Sequence, residues 1–449
     1  MPQSRPPAAL NERDLETIVG TALAQARAQG ADQAEGVVSQ SSGLSVGVRL
    51  GQIETLERSG DRSLGLTVYF GKRKASASTA DLTPAAVSAT VAKACSIARF
   101  TAEDPCAGLA DAQLMQRRRL DLDLAHPWDI EAEQAIELAL AGEAAALAFD
   151  KRINNSEGAS LSTHQGLHVY GNTHGFLGGY PTTTHSLSCV VLAGSGDEMQ
   201  RDYWYTTARD WRELESARHV GETAARRTVA RLGPRKLATR HAPVLFPPEL
   251  ARGLISHFVG AVRGTAQYRE ASFLLKAAGQ AVFPANVNIS ERPHIPKALA
   301  SAPFDDEGVA TADSELVTGG VLQRYVLSSY SARKLGLVTT ANAGGAHNLL
   351  VDATVTGGFE SQLQRLGTGL LVTELMGQGV NAITGDYSRG AAGFWVENGA
   401  IQYPVAEITI AGNLKDMLRR IVSIGDDIDL RGGIRVGSVL LEEMTIAGE

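Results

Sequence analysis

The chain has 449 residues, of which 44% are hydrophobic and 20% charged, a balance that excludes a disordered or coiled-coil protein and leaves room for about two domains. Lys plus Arg is 42 against 49 Asp plus Glu, a formal charge of −7 that repels rather than concentrates nucleic acid. Cys95, Cys106 and Cys189 are odd in number and form no CxxC pair, so neither a disulfide framework nor a thiolate zinc knuckle is expected, and a reducing cytoplasm is.

The first ten residues, MPQSRPPAAL, lack the apolar segment of a secretory signal and are expected to form a flexible tail over 1–10. Asn11 is placed to cap a helix running to about Gln29, because apolar residues recur at Leu15, Ile18, Val19, Ala22 and Leu23 and Gly30 follows. The period then falls to two: Leu44, Val46, Val48 and Leu50 alternate, as do Leu64, Leu66, Val68 and Phe70, with a third run toward Ala80. That pattern predicts an antiparallel meander. Pro84 suits the first turn of a helix over 85–100, and Asp129 opens an Ala-rich helix to about Asp150 whose Glu137 and Glu143 rule out a membrane span.

Glycines at 158, 166, 171, 175, 178 and 179 divide 153–209 into several short strands, and a helix over about 214–232 ends on Gly233-Pro234. The Pro-rich stretch 233–248 is expected to separate an N-terminal domain, 11–233, from a C-terminal β-rich domain, 241–449. Beyond it, helices are expected over 250–262 and 325–335, with hairpins for most of the rest. The clearest hairpin spans 393–405 around Asn398-Gly399, and Asn413 with Asp416 resembles a capping box for a last helix. Helices grouped around antiparallel strands without βαβ alternation indicate an α+β fold: an N-terminal antiparallel sheet with flanking helices, and a C-terminal, mostly antiparallel β domain with a few helices.

The chemistry is argued first by elimination. No GxSxG elbow, no GxxxxGK[ST] phosphate loop and no GxGxxG fingerprint occurs. His164 and His168, four apart on a strand, share a face, and with His174 and His185 they are the one histidine set from which a zinc site could be assembled, though histidines on polar strands are more often solvated. The acidic turn Phe304-Asp305-Asp306-Glu307-Gly308 lacks the spacing of a calcium loop and is expected to be a solvated loop.

The segment PVLFPPELARGLISHFVGA, 243–261, resembles the strand–helix of the TldD/TldE (PmbA) family, in which the TldD subunit carries HExxxH as zinc ligands and catalytic Glu. Further blocks, among them GNTHGFLGGYPTTTHSLS, SARKLGL and GDYSRGAAGFWVENGAIQYPVAEITIAGNLKDML, look like the TldE branch. Aligned on the shared Val-Gly, the first His falls on Ser256, the Glu on His257 and the second His on Ala261; the Cys that completes the TldD site falls on Val436. The degenerate positions supply no usable set of zinc donors.

The resemblance therefore implies a TldE/PmbA-like, non-catalytic subunit of a cytoplasmic heterodimeric protease, with the zinc held by the TldD partner and none in this chain. It implies unfolded or small peptides as substrates, in peptide-antibiotic maturation and antitoxin turnover; separately, strand edges and the hairpin at Asn398-Gly399 need cover, so a homodimer is expected when the chain is alone. The alternatives are a self-sufficient hydrolase using His257 with Glu374 or Asp386, and a peptide-binding or scaffolding homo-oligomer with no protease partner. Glu374, Asp386, Tyr387, Ser388 and Arg389 fall among glycines, where hairpin turns carry ordinary surface charges. The functional reading of the same residues is a peptide-binding strand and loop facing the partner's metal, with Tyr387 or Arg389 orienting peptide carbonyls.

Overall fold

The computed structural model describes residues 10–448, so residues 1–9 of the expected tail lie outside it. Asn11 caps α1 (Glu12–Ala28) in a reciprocal box with Asp14, and Leu15, Val19, Ala22 and Ala26 form its buried stripe. There follow β1 (Gln33–Arg49), β2 (Gln52–Phe70), β3 (Arg73–Thr79), α2 (Pro84–Ala98) and α3 (Ala132–Phe149). Next come β4 (Ile153–Asn172), β5 (Leu177–Ala193), β6 (Gln200–Ala208) and α4 (Ala217–Ala230). The six strands form one antiparallel sheet in the order β3-β2-β1-β4-β5-β6.

One expectation changes here. The stretch 153–209 is three long strands rather than several short ones, because most of its glycines sit within paired backbone and only Gly175 turns the chain between β4 and β5. Gly179 shows why: an added Cβ there would stand 2.4 Å from the His168 carbonyl, so the glycine serves a close strand approach, not a break. The expected meander β1-β2-β3 is present, and β4 extends it by pairing with the outer edge of β1. That long-range pairing follows no local signal.

The register sends the even residues of β1 and β2 and the odd residues of β4 and β5 to one face, where α1 and α2 cover one end and α3 and α4 the other. α3 and α4 touch so closely that a Cβ on Gly221 would lie 2.0 Å from the Gly142 carbonyl oxygen. The opposite face is polar, with hydroxyl pairs bridging neighbouring strands: Ser39 to Ser63 and Ser162 to Ser186 at 2.8 Å, and Ser160 to Ser188 at 2.9 Å.

The second half begins with β7 (Arg240–Phe246), so the Pro-rich stretch is not all linker; its last part is a strand paired on both edges in a second six-stranded sheet. Then come α5 (Pro248–Val262), α6 (Gly264–Tyr268), β8 (Ile289–Glu291), β9 (Ser314–Thr318), β10 (Val321–Leu322) and α7 (Ser329–Leu335). The chain continues through β11 (Leu349–Val351), α8 (Gly358–Leu366), β12 (Gly369–Met376), β13 (Asp386–Glu397) and β14 (Ala400–Asn413). It ends with α9 (Leu414–Arg419), β15 (Ile421–Ile424), β16 (Ile434–Arg435) and β17 (Val439–Ala447).

β14, β13, β12, β7 and β17 follow one another as neighbours, and a further β14–β17 pairing closes them into a ring. β12–β7 and the β11–β16 pair of the small five-stranded sheet are parallel; the rest of these ladders are antiparallel. α5 packs Leu254, Ile255 and Phe258 into one core with Phe246, Val372 and Ile410, while α8 covers Leu245 and Leu371 on the other face.

Helix α7 starts at Ser329, four residues later than Tyr325, because the Ser328 side chain caps it. Asn413 caps α9 by accepting from the Lys415 N–H. The expected hairpin joins β13 and β14 at Asn398-Gly399, both with positive φ, as a tight turn of this type requires. Between β8 and β11 the chain is mostly irregular rather than hairpins.

Candidate functional site

α5 presents the degenerate positions on different sides. Ser256 is exposed, Ala261 is 3% exposed, and Val436 is 0% exposed within the same apolar core as Ala261. The divergence is helical geometry: five residues at 3.6 per turn rotate about 500°, leaving the two side chains about 140° apart. The Ala261 carbonyl accepts from Gln267 Nε2 and Ser272 Oγ, both at 2.7 Å, which fixes the loop that follows the helix. A hydroxyl in solvent and two aliphatic groups in a core do not fit a tetrahedral zinc site.

His257 is half-buried, its ring edge-on to Tyr387 at 6.1 Å between centroids. Burial pushes its pKa below the usual imidazole value, and the Arg389 charge pushes the same way. Tyr387 is buried and burial raises its phenol to about 12; Arg389, two residues on and on the same face, donates to the Met376 carbonyl at 3.0 Å. The structure thus brings together His257, Tyr387 and Arg389.

The other three residues of the expected peptide-binding set point elsewhere. Glu374 on β12 pairs with Arg231, the residue that follows α4, which also lies 3.6 Å from Asp202 of β6, so this carboxylate ties the two halves of the molecule together. Asp386 accepts from Thr384 Oγ1 at 2.6 Å and Asn413 Nδ2 at 3.2 Å, bonds that hold its pKa down. Ser388, between Tyr387 and Arg389, is exposed on the opposite face of β13. Both carboxylates considered as partners for His257 are therefore committed to other groups.

The four histidines do not converge. His164 and His168 share the polar face, but about 3.3 Å per residue separates them by roughly 13 Å along β4. His168 is wedged edge-on against Tyr180 at 4.2 Å, and burial lowers its pKa. His185 pairs with Thr163, on the helix-covered face, and its Nε2 lies 2.9 Å from the His126 carbonyl. His174 lies beyond the end of β4, its Nε2 3.5 Å from Gln33 Nε2. Among the described residues no group of three or more His, Cys, Asp or Glu side chains is placed to hold a metal.

The acidic turn is not solvated at its first carboxylate. Asp305 is 1% exposed and accepts from the N–H groups of Glu307, Val309 and Ala343 at 2.9–3.0 Å. Burial outweighs those bonds and raises its pKa to about 7. Next to it, Glu35 of β1 receives the Tyr69 hydroxyl at 2.7 Å and the Tyr170 hydroxyl at 2.9 Å, its pKa raised by burial. Glu35, His168, Tyr180, Phe304 and Asp306 border a cavity of about 780 Å³ at the meeting of sheet and turn. Nothing local in the sequence signalled this group, whose members come from β1, β4, β5 and a loop more than 260 residues from Glu35.

Three consecutive family models match the chain: the PmbA/TldA metallopeptidase domain 1 over residues 34–98, the central domain over 125–232 and the C-terminal domain over 239–448. Metalloprotease PmbA of Escherichia coli O157:H7 is 53% identical over 435 residues, covering 97% of this chain and 96% of that protein. A PmbA homolog of Haemophilus influenzae is 51% identical, with 97% of each chain covered. A crystal structure from Bacteroides thetaiotaomicron, 26% identical, superposes with a TM-score of 0.93 over 98% of this chain and all of that one. TldE from Thermococcus kodakarensis shares the fold at a TM-score of 0.84 and 18% identity, with 96% of this chain and 100% of that chain covered.

Proposed function

The chain belongs to the PmbA/TldD metallopeptidase family, and we propose that within it this protein is the TldE-type subunit of a cytoplasmic two-subunit zinc protease whose metal is held by a TldD-type partner. The observation that carries this reading is the state of the four degenerate metal-site positions. Ser256 faces solvent, His257 stands where a general base is needed but has Tyr387 and Arg389 for neighbours, and Ala261 and Val436 are packed into the core. The fold around them is intact and these positions supply no usable set of zinc donors.

In this reading the chain contributes assembly and substrate handling. The hydroxyl-rich face of the N-terminal sheet suits an extended peptide chain, which is selected by backbone conformation more than by side chains. Arg389 orients peptide carbonyls at the surface facing the partner, whereas Tyr387 is buried against His257 and is not part of that contact. The substrates are unfolded or small peptides, as in peptide-antibiotic maturation or antitoxin turnover. The chain alone forms a homodimer and exchanges it for the mixed dimer. No helix among the described residues is long and apolar enough to cross a membrane.

The test is co-expression with the TldD-type protein of the same genome, followed by co-purification and casein cleavage by each subunit alone and by both. Cleavage requiring both subunits and lost with a chelator supports the reading, as does impaired cleavage with retained assembly in Arg389→Glu. Chelator-sensitive cleavage by this chain alone, or full activity of the partner without it, overturns it.

A further inference from the structure

A second cleft, of about 1190 Å³, lies between the two halves of the molecule, bounded by β6 and α4 on one side and by β16 and the 295–299 and 427–431 loops on the other. Its walls are mixed. Leu299 and Phe394 supply apolar surface, and Ile401, Ile428 and Leu430 stand substantially exposed in it. A volume of this order exceeds that of a typical small-molecule site and suits a short peptide segment.

The charges of this cleft are almost all neutralised by their neighbours. Arg431 is paired with Asp429 at 2.9 Å, Lys297 with Asp210 at 2.8 Å, and Arg227 with Glu249 at 2.9 Å. Asp427 is held by the Ser438 N–H and hydroxyl. Arg435 differs from these three cations. Its Nε is sealed from solvent without a hydrogen-bond acceptor, and among the described residues no carboxylate pairs with its guanidinium. Arg209, on the wall across the cleft, is 7% exposed and donates only to carbonyls, those of Thr183, Ala298 and Leu299. Arg435 is part-buried and lines the cleft without an anion, and a guanidinium is the side chain that best accepts a carboxylate through two parallel bonds.

We propose that this cleft binds a carboxylate carried on an apolar body, Arg435 pairing with the carboxylate and the Leu299, Phe394 and Ile401 surface covering the body. Resting on the peptide-handling reading above, the ligand is a peptide, and the carboxylate is its C-terminus or an acidic side chain within it. The N-terminal and C-terminal halves both contribute walls, so occupancy also fastens one half to the other.

The isolated chain suffices for the test, by calorimetric titration with three probes: Ac-Ala-Ala-Leu-Phe as the free acid, the same peptide as the amide, and Ac-Ala-Asp-Leu-Phe amide. The free acid or the Asp-bearing amide is expected to bind about tenfold or more tightly than the plain amide, as a charge-assisted pair allows; which of the two does so assigns the C-terminus or the acidic side chain. Arg435→Gln should abolish that preference without lowering Tm, since an arginine kept for a ligand contributes nothing to the unliganded fold. Ile401→Glu, at an exposed wall position, should weaken the acidic probe more than the plain amide. Equal binding of all three probes, binding of none, an undiminished preference in Arg435→Gln, or a marked fall in Tm of that variant overturns the proposal. Because no partner is present, these outcomes are independent of whether the chain activates a TldD-type subunit.

Discussion

Installing the missing ligands should harm this protein rather than activate it. In the triple variant Ser256→His, His257→Glu and Ala261→His, the first change is at an exposed position and is expected to cost no more than about 0.5 kcal/mol. The third is different in kind. Ala261 is 3% exposed and packs in the core that also holds Val436, so an imidazole there overfills a close-packed site at about 1–3 kcal/mol. Its ring nitrogens would be buried without a partner, for about 1–3 kcal/mol more. Against a typical domain stability of about 5–15 kcal/mol the combined loss is severe. The rotation between positions 256 and 261 still leaves the two imidazoles about 140° apart. Urea unfolding followed through the tryptophans, zinc content after dialysis, and casein hydrolysis with and without a chelator read this out. A triple variant as stable as the parent, retaining one zinc per chain and showing chelator-sensitive activity, would refute the argument and show that the supporting shell of a metal site persists.

Three further outcomes are expected. Arg231→Met leaves Glu374 without its cation while Asp202 keeps Arg227 at 3.3 Å, and should cost about 1–2 kcal/mol in urea unfolding; an unchanged midpoint would mean the pair contributes nothing. His257 has its folded pKa below the unfolded value near 6.5, so its neutral form is favoured by the fold, and the stability it contributes is present above 6.5 and lost as pH falls through the folded pKa. Arg389→Gln should move the NMR titration of His257 part of the way back up, burial being the larger cause; no movement contradicts the assigned contact. Gly221→Ala brings a Cβ to within 2.0 Å of the Gly142 carbonyl, which should force α3 and α4 apart and lower Tm, whereas Gly20→Ala, with nothing within 4 Å of its added Cβ, should not.

Much of the N-terminal half is legible residue by residue because its signals are local. Asn11, Pro84, and the alternation of 44–50 and 64–70 each specify backbone conformation within a few positions, and the structure has the corresponding cap, helix start and strands. Asn398-Gly399 does the same for the β13–β14 turn. The sequence also shows that Ser256, Ala261 and Val436 are poor or impossible zinc donors, since that is a property of the side chains themselves. What it does not carry is pairing between distant segments. The pairing of β4 with the outer edge of β1, the closing β14–β17 ladder, the commitment of Glu374 to Arg231 and the burial of Asp305 all depend on groups brought together from tens to hundreds of residues apart. Glycines 166, 171 and 179 illustrate the limit: by composition they mark turns, and only the approach of a neighbouring strand makes them strand interior. Local chemistry sets the elements and the donor inventory; the free energy of burying surface between elements decides which faces meet and which charges, such as Arg435, are left for something else to pair.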